Sequence, residues 1–190
     1  TAHSYGDDGE TARLVTLACE LFEREVAIFP VTTGTAANAL ALATLAPPFG
    51  AIYCHRFAHI NTDECGAPEF YTGGAKLLAL DSADGKLRAA QLAAPVAHAA
   101  EMGVHHVQPA AVSVSQATEW GTVYTRAELT ELATAAHGYE LAVHMDGARI
   151  WNASAATGLP PSVLAAPAQS VSACFSKGLG APVGSVLASS

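Results

Sequence analysis

The sequence predicts an α/β fold in which a mostly parallel sheet is covered by helices on both faces. Three observations lead to it. Apolar runs of strand length alternate with helix-length segments along the chain. Those runs are apolar on nearly every residue, as strands buried on both faces require. The 190 residues are 51 % hydrophobic and only 14 % charged, which excludes disorder and implies a large buried core.

The elements follow in order. Glu10 to Glu23 carries Leu14, Leu17, Ala18, Leu21 and Phe22 at helical spacing, so an amphipathic helix is expected. Val26 to Phe29 reads as a short strand ended by Pro30. The turn Thr32-Thr33-Gly34 opens an Ala- and Leu-rich helix from Thr35 to Leu45, which stops before Pro47-Pro48. Ala51 to Cys54 and Lys76 to Leu80 are strand-like, and Leu87 to Ala100 reads as a helix broken near Pro95. Ala110 to Ser115 is a strand, and Thr125 with Glu128 forms a capping box for a helix that Gly138 closes. Leu141 to Met145, Ser170 to Phe175 and Val183 to Ala188 complete the strands. Without repeats or a low-complexity linker, one domain over residues 1–190 is expected.

Composition narrows the function. A net charge of −8, from 17 acidic and 9 basic residues with no basic run, argues against nucleic-acid and anionic-membrane binding. The most apolar region, Val26 to Cys54, is broken by Pro30, Gly34, Pro47, Pro48 and Gly50, so no membrane span is expected. Four scattered cysteines with no C-x-x-C pair predict free thiols and a cytoplasmic location. Cys54, His55, His59 and Cys65 match no closed zinc pattern, so no metal is expected. The polar, acidic N-terminus does not read as a signal peptide. The chain opens at Thr1 and stops at Ser190 inside a strand-like run, which predicts a fragment of a longer protein.

In α/β sheets ligands bind beyond the C-terminal strand ends, and three groups fall there. Thr33-Gly34-Thr35-Ala36-Ala37-Asn38 is a glycine turn opening a helix: either an ordinary cap or a phosphate cradle of free N–H groups. Asp146 follows an apolar strand and needs a partner, with Arg149 three residues on as one choice. Lys177 sits among small and apolar residues in Cys174-Phe175-Ser176-Lys177-Gly178-Leu179-Gly180. It is either an exposed turn lysine or an amine whose charge is suppressed by apolar surroundings. A phosphate cradle, a carboxylate and such a lysine together are what pyridoxal 5'-phosphate requires. Its phosphate takes the helix start, its ring nitrogen the Asp, and its aldehyde condenses with the lysine.

These residues carry a family resemblance. His144 to Pro160 (HMDGARIWNASAATGLP) and Ser176 to Ser185 (SKGLGAPVGS) are long, specific stretches. Through them the chain resembles the low-specificity L-threonine aldolases, of the beta-eliminating lyase/threonine aldolase branch. That branch has the aspartate-aminotransferase-like fold (fold type I), and the resemblance runs over essentially the whole chain. It implies Lys177 as the cofactor lysine, Asp146 as the ring-nitrogen carboxylate and Arg149 as a nearby active-site arginine. It implies Gly34, Thr35 and Ala36 as the phosphate loop and His59 as the residue stacked on the cofactor ring. Many members carry Asn-Thr-His after the fourth strand, where this chain has Ser115-Gln116-Ala117-Thr118-Glu119. Thr118 therefore aligns and Glu119 replaces the His, leaving His59, a water or Glu119 as the base.

The activity implied is retro-aldol cleavage of L-threonine, L-allo-threonine or a related β-hydroxy-α-amino acid such as phenylserine, to glycine and an aldehyde. Another fold type I lyase, a hydroxymethyltransferase or a non-catalytic cofactor-binding module are the alternatives. The resemblance implies a homodimer or homotetramer with shared sites, His3 to Asp8 near the neighbour's cofactor and Tyr5 a substrate-side candidate. It also implies that an N-terminal segment and a C-terminal small domain, with its substrate-carboxylate arginine, lie outside these residues.

Overall fold

A computed structural model describes residues 6–189. The candidate Tyr5, with His3 and Ser4, lies outside the described residues. The first helix, α1 (Gly9–Phe22), is capped by Asp8, whose Oδ1 accepts from the N–H groups of Glu10 and Thr11. Strand β1 (Ala27–Val31) follows, then α2 (Gly34–Leu45) with Thr33 as its N-cap. Next come β2 (Gly50–His55), the short helices α3 (His59–Thr62) and α4 (Ala67–Tyr71), and β3 (Lys76–Leu80). A 3-10 turn at Ala89–Gln91 leads to α5 (Ala93–Met102) and β4 (Gln108–Ser115). The chain continues through α6 (Arg126–Gly138), β5 (Ala142–Asp146), α7 (Ile150–Thr157) and α8 (Pro161–Ala165). It closes with β6 (Ser170–Cys174), the single turn α9 (Phe175–Gly178) and β7 (Ser185–Ser189).

The seven strands form one sheet in the order β1-β7-β6-β5-β4-β2-β3. Only β7 runs against its neighbours β1 and β6; the other pairings are parallel. Alternate residues of each central strand feed opposite faces, as the two-residue period demands. Ala51, Tyr53, Val112 and Val114 pack with Phe22 of α1 and Leu132 of α6. Ile52, Cys54 and Ala111 pack on the other face with Leu42 of α2 and Ala46, its C-cap. Both faces are therefore covered, which explains why the central strands are apolar at most positions. None of the described helices is long and apolar enough to cross a membrane.

Two expected boundaries move for local reasons. β1 runs through Pro30 instead of ending before it; at the sheet edge, pairing only with β7, a missing N–H is tolerated. The expected helix from Leu87 breaks at Leu92, so Pro95 falls in the first turn of α5, where the ring disturbs no helical hydrogen bond. The expected capping box of α6 is present, with Thr125 and Glu128 each bonding the other's backbone N–H.

The strand order gathers chemistry at one sheet edge. The C-terminal ends of β1, β2, β4, β5 and β6 all open there, followed by Gly34, His59, Glu119, Arg149 and Lys177 respectively.

Candidate active site

Asp146 ends β5 and is 7 % exposed. Its Oδ1 accepts from the Ala148 N–H at 3.0 Å, and its Oδ2 accepts from the Asn38 side-chain amide at 3.0 Å. The tight turn that aims it needs Gly147, because a Cβ there would stand 2.6 Å from the Ser172 carbonyl oxygen. Among the described residues no ion pair joins Asp146 to Arg149. Arg149 instead occupies the N-cap position of α7, without a side-chain capping bond, and lines the depression described next.

Two adjoining depressions, of about 180 and 360 Å³, share His59, Asp146, Ala148 and Lys177. The smaller adds Ser115, Thr118, Glu119 and Arg149; the larger adds Thr33, Gly34, Thr35, Asn38, Glu64 and Ser176. Lys177, His59, Asp146, Arg149, Gly34, Thr35, Thr118 and Glu119 thus converge as expected. Ala36 does not line either depression; its N–H donates to Thr33 Oγ1 at 3.1 Å in the cap of α2. The Thr118 hydroxyl is 2.7 Å from that of Thr122, so Thr118 contributes wall and turn geometry. Glu119 Oε1 accepts from the Ser115 hydroxyl at 2.7 Å and from the His59 N–H at 2.9 Å. Lys177 is exposed on α9, so the apolar enclosure read from its neighbours is not what surrounds it in this chain.

Five buried polar residues that the sequence reading left without a role tie the site together. Asn38 Oδ1 accepts from the Ser172 hydroxyl at 2.7 Å and lies 3.1 Å from His144 Nε2. His144 Nδ1 is 2.8 Å from the Ser170 hydroxyl, and burial pushes this imidazole down to about 4 against the pull of Asp146. Glu64, whose side chain is fully buried, takes the Asn38 amide at 2.8 Å and His59 Nδ1 at 2.8 Å, both on Oε1. Burial, with the Asp146 charge adding to it, pushes the Glu64 carboxyl up. A usable signal was in the strands. His144/Asp146 and Ser170/Ser172 are polar pairs two apart in apolar runs, and β5–β6 register sets His144 beside Ser170 and Asp146 beside Ser172.

The residues fit pyridoxal phosphate. Among the described residues the buried Ser185 hydroxyl has no hydrogen-bond partner, and it lies 3.8 Å from where a Gly34 Cβ would be, beside the N-terminus of α2. An anion at that helix start would satisfy it together with free backbone N–H groups. A carboxylate for a ring nitrogen and an amine for an aldehyde face the same depression. His59, Glu64 and Asp146 also offer ligand atoms within 4.8 Å of one another, but Glu64 Oε1 already accepts from the Asn38 amide and lies 2.8 Å from His59 Nδ1.

The family model described as beta-eliminating lyase matches residues 2–190. The chain belongs to the beta-eliminating lyase family. Within it, the chain is 41 % identical over 161 residues to a low specificity L-threonine aldolase of a Pseudomonas species, covering 85 % of this chain and 46 % of that protein. It is also 41 % identical over 172 residues to one from Pseudomonas aeruginosa, covering 90 % of this chain and 49 % of that protein. The structure of Leishmania major threonine aldolase superposes with a TM-score of 0.92 at 29 % identity, over all of this chain and 55 % of that one. The chain therefore spans about half the length of the beta-eliminating lyase relatives it matches.

Proposed function

We propose that this chain is the pyridoxal-phosphate-binding large domain of an aldehyde-lyase of the low-specificity L-threonine aldolase type. Its substrates would be L-threonine, L-allo-threonine and related β-hydroxy-α-amino acids such as phenylserine, cleaved to glycine and an aldehyde. The observation that carries the reading is Lys177 and Asp146 lining both depressions beside the N-terminus of α2. The threonine aldolases at 41 % identity support the substrate class.

When bound, pyridoxal phosphate supplies an electron sink for breaking the Cα–Cβ bond. Gly34 and Thr35 would hold its phosphate at the helix start, with the buried Ser185 hydroxyl beside Gly34, where amide dipoles favour an anion. Asp146, held by Ala148 and Asn38, keeps a proton on the ring nitrogen. Lys177 would provide the amine for the cofactor aldehyde. His59 covers the ring. Arg149, unpaired with Asp146, presents its guanidinium to an anionic group of the bound ligand. Glu119 is tied down through Oε1 only, and its other oxygen takes the β-hydroxyl proton.

The assembly belongs to the same proposal: a cytoplasmic homodimer or homotetramer with shared sites. Exposure of Lys177 in the isolated chain supports a site that further chain completes.

The test is borohydride reduction of the complete gene product with pyridoxal phosphate, for wild type and Lys177→Ala. Cofactor fixed to Lys177 in wild type only, with glycine and acetaldehyde released from threonine, is the expected result. No fixation in a folded sample would sink the reading. The family description favours one second reading, a β-elimination; it would release ammonia and a keto acid in place of glycine.

A further inference from the structure

The buried bridge Asn38–Glu64 connects the two residues that would face the cofactor ring, and its hydrogen-bond directions can be worked out. Asn38 faces two carboxylates on one side, Glu64 Oε1 at 2.8 Å and Asp146 Oδ2 at 3.0 Å. An amide oxygen there would meet acceptors only, so the NH₂ group must take that side. Asn38 Oδ1 then faces the Ser172 hydroxyl and His144 Nε2, and both must donate to it. With its proton on Nε2, His144 leaves Nδ1 to accept from the Ser170 hydroxyl.

The same logic reaches His59. Glu64 Oε1 already accepts from Asn38, so it is an acceptor towards His59 Nδ1 at 2.8 Å as well. As a carboxylate, Glu64 has no hydrogen to give, so Oε1 accepts from both sides and Nδ1 of His59 carries the hydrogen. The neutral imidazole then presents a bare Nε2, while its ring is one-third exposed at the depression.

We propose that Glu64 is a positioning residue: through Nδ1 it fixes the tautomer and tilt of His59, and through Asn38 it locks that ring to Asp146. Free histidine in water favours the opposite tautomer, with the proton on Nε2, so the assignment makes a distinct demand on the protein. Its benefit is pre-organisation. The ring-stacking side chain and the ring-nitrogen carboxylate are held to one another before any ligand arrives, so less ordering is left to binding. This role rests on His59 lying against the cofactor ring, as proposed above.

The test reads the imidazole itself. Nitrogen-15 NMR of the cofactor-free complete gene product, labelled at histidine and assigned with His59→Asn, reports which ring nitrogen of neutral His59 bears hydrogen. Wild type is expected to show the Nδ1–H form. Glu64→Leu, which removes the acceptor, is expected to switch it to Nε2–H and to weaken pyridoxal-phosphate binding by about tenfold, the loss of one charge-assisted hydrogen bond. Glu64→Gln keeps a carbonyl acceptor and is expected to retain the Nδ1–H form. An Nε2–H signal in wild type, or an unchanged tautomer in folded Glu64→Leu, would overturn the proposal. Should the Leu variant not fold, the wild-type tautomer decides alone. Because the tautomer is read without cofactor, its failure is separate from a failure of Lys177 trapping.

Discussion

Asn38 and Asp146 lie 108 positions apart in the chain, yet the side-chain amide of one donates to the carboxylate of the other at 3.0 Å. Asn38 sits on α2, one turn beyond the cap that faces the phosphate site, and Asp146 ends β5. One helix thus carries both the proposed anion cradle at Gly34 and the side chain that clamps Asp146, which ties the two ends of the proposed cofactor site to one element.

Asn38→Ala is expected to be costly for that reason. Asn38 is 2 % exposed, and its loss leaves His144, Ser172, Glu64 and Asp146 each short of a partner. A destabilisation of about 3 kcal/mol is expected from buried polar groups left unpaired. Urea unfolding midpoints of wild type and variant check it; a loss under 1 kcal/mol, about the ordinary value of one hydrogen bond, would contradict the network.

Glu119 stands where many relatives are expected to carry a histidine. Glu119→Gln keeps the shape and an acceptor for the Ser115 hydroxyl and the His59 N–H, but removes the proposed base. Turnover of threonine is expected to fall by about 10²-fold or more, the usual range for a lost general base. Pyridoxal-phosphate affinity, measured by absorption titration, should stay within about threefold, below the loss of one hydrogen bond. A Gln variant with full turnover would move the base role to His59 or a water.

Gly178 allows the turn carrying Lys177 to press against Trp151. A Cβ at this position would overlap Trp151 Cδ1, far inside contact distance, so the indole or the α9 turn must move. Gly178→Ala is therefore expected to misplace Lys177 and weaken pyridoxal-phosphate binding by about tenfold or more. Titration of folded variant followed by borohydride fixation measures this directly.

The strands and the two long motifs around Asp146 and Lys177 were legible because both signals are local: unbroken apolar runs, and residues contiguous in the chain. The clamp was not. Glu64 lies between α3 and α4, helices of four and five residues, too short for a helical period to show. Its partners Asn38 and His59 sit 26 and 5 positions away on other elements, and nothing in the chain around it marks a buried carboxylate. Pro30 misled for a related reason. A proline ends a central strand but not an edge one, and position in the sheet is a property of topology. The exposure of Lys177 likewise depends on what covers α9, which its neighbours in sequence do not report.

His144 gives the fold a pH dependence whose sign can be worked out. Its folded-state value is depressed from 6.5 to about 4, first by burial, with Asp146 opposing. A depressed value means the folded state resists protonation that the unfolded chain accepts, so stability is fully present above pH 6.5 and is lost as pH falls towards 4. At ~1.4 kcal/mol per unit, the loss amounts to about 3 kcal/mol over that window. His144→Gln can still donate to Asn38 and accept from Ser170 while holding no titrating proton. Carboxylates also titrate in this range, but they are common to both proteins and cancel in the comparison. Unfolding free energies of wild type and His144→Gln at pH 7 and pH 4.5 should therefore diverge, wild type falling more steeply. Parallel pH profiles would mean that His144 is protonated within the folded protein, and that the directions traced from Ser170 through Asn38 are wrong.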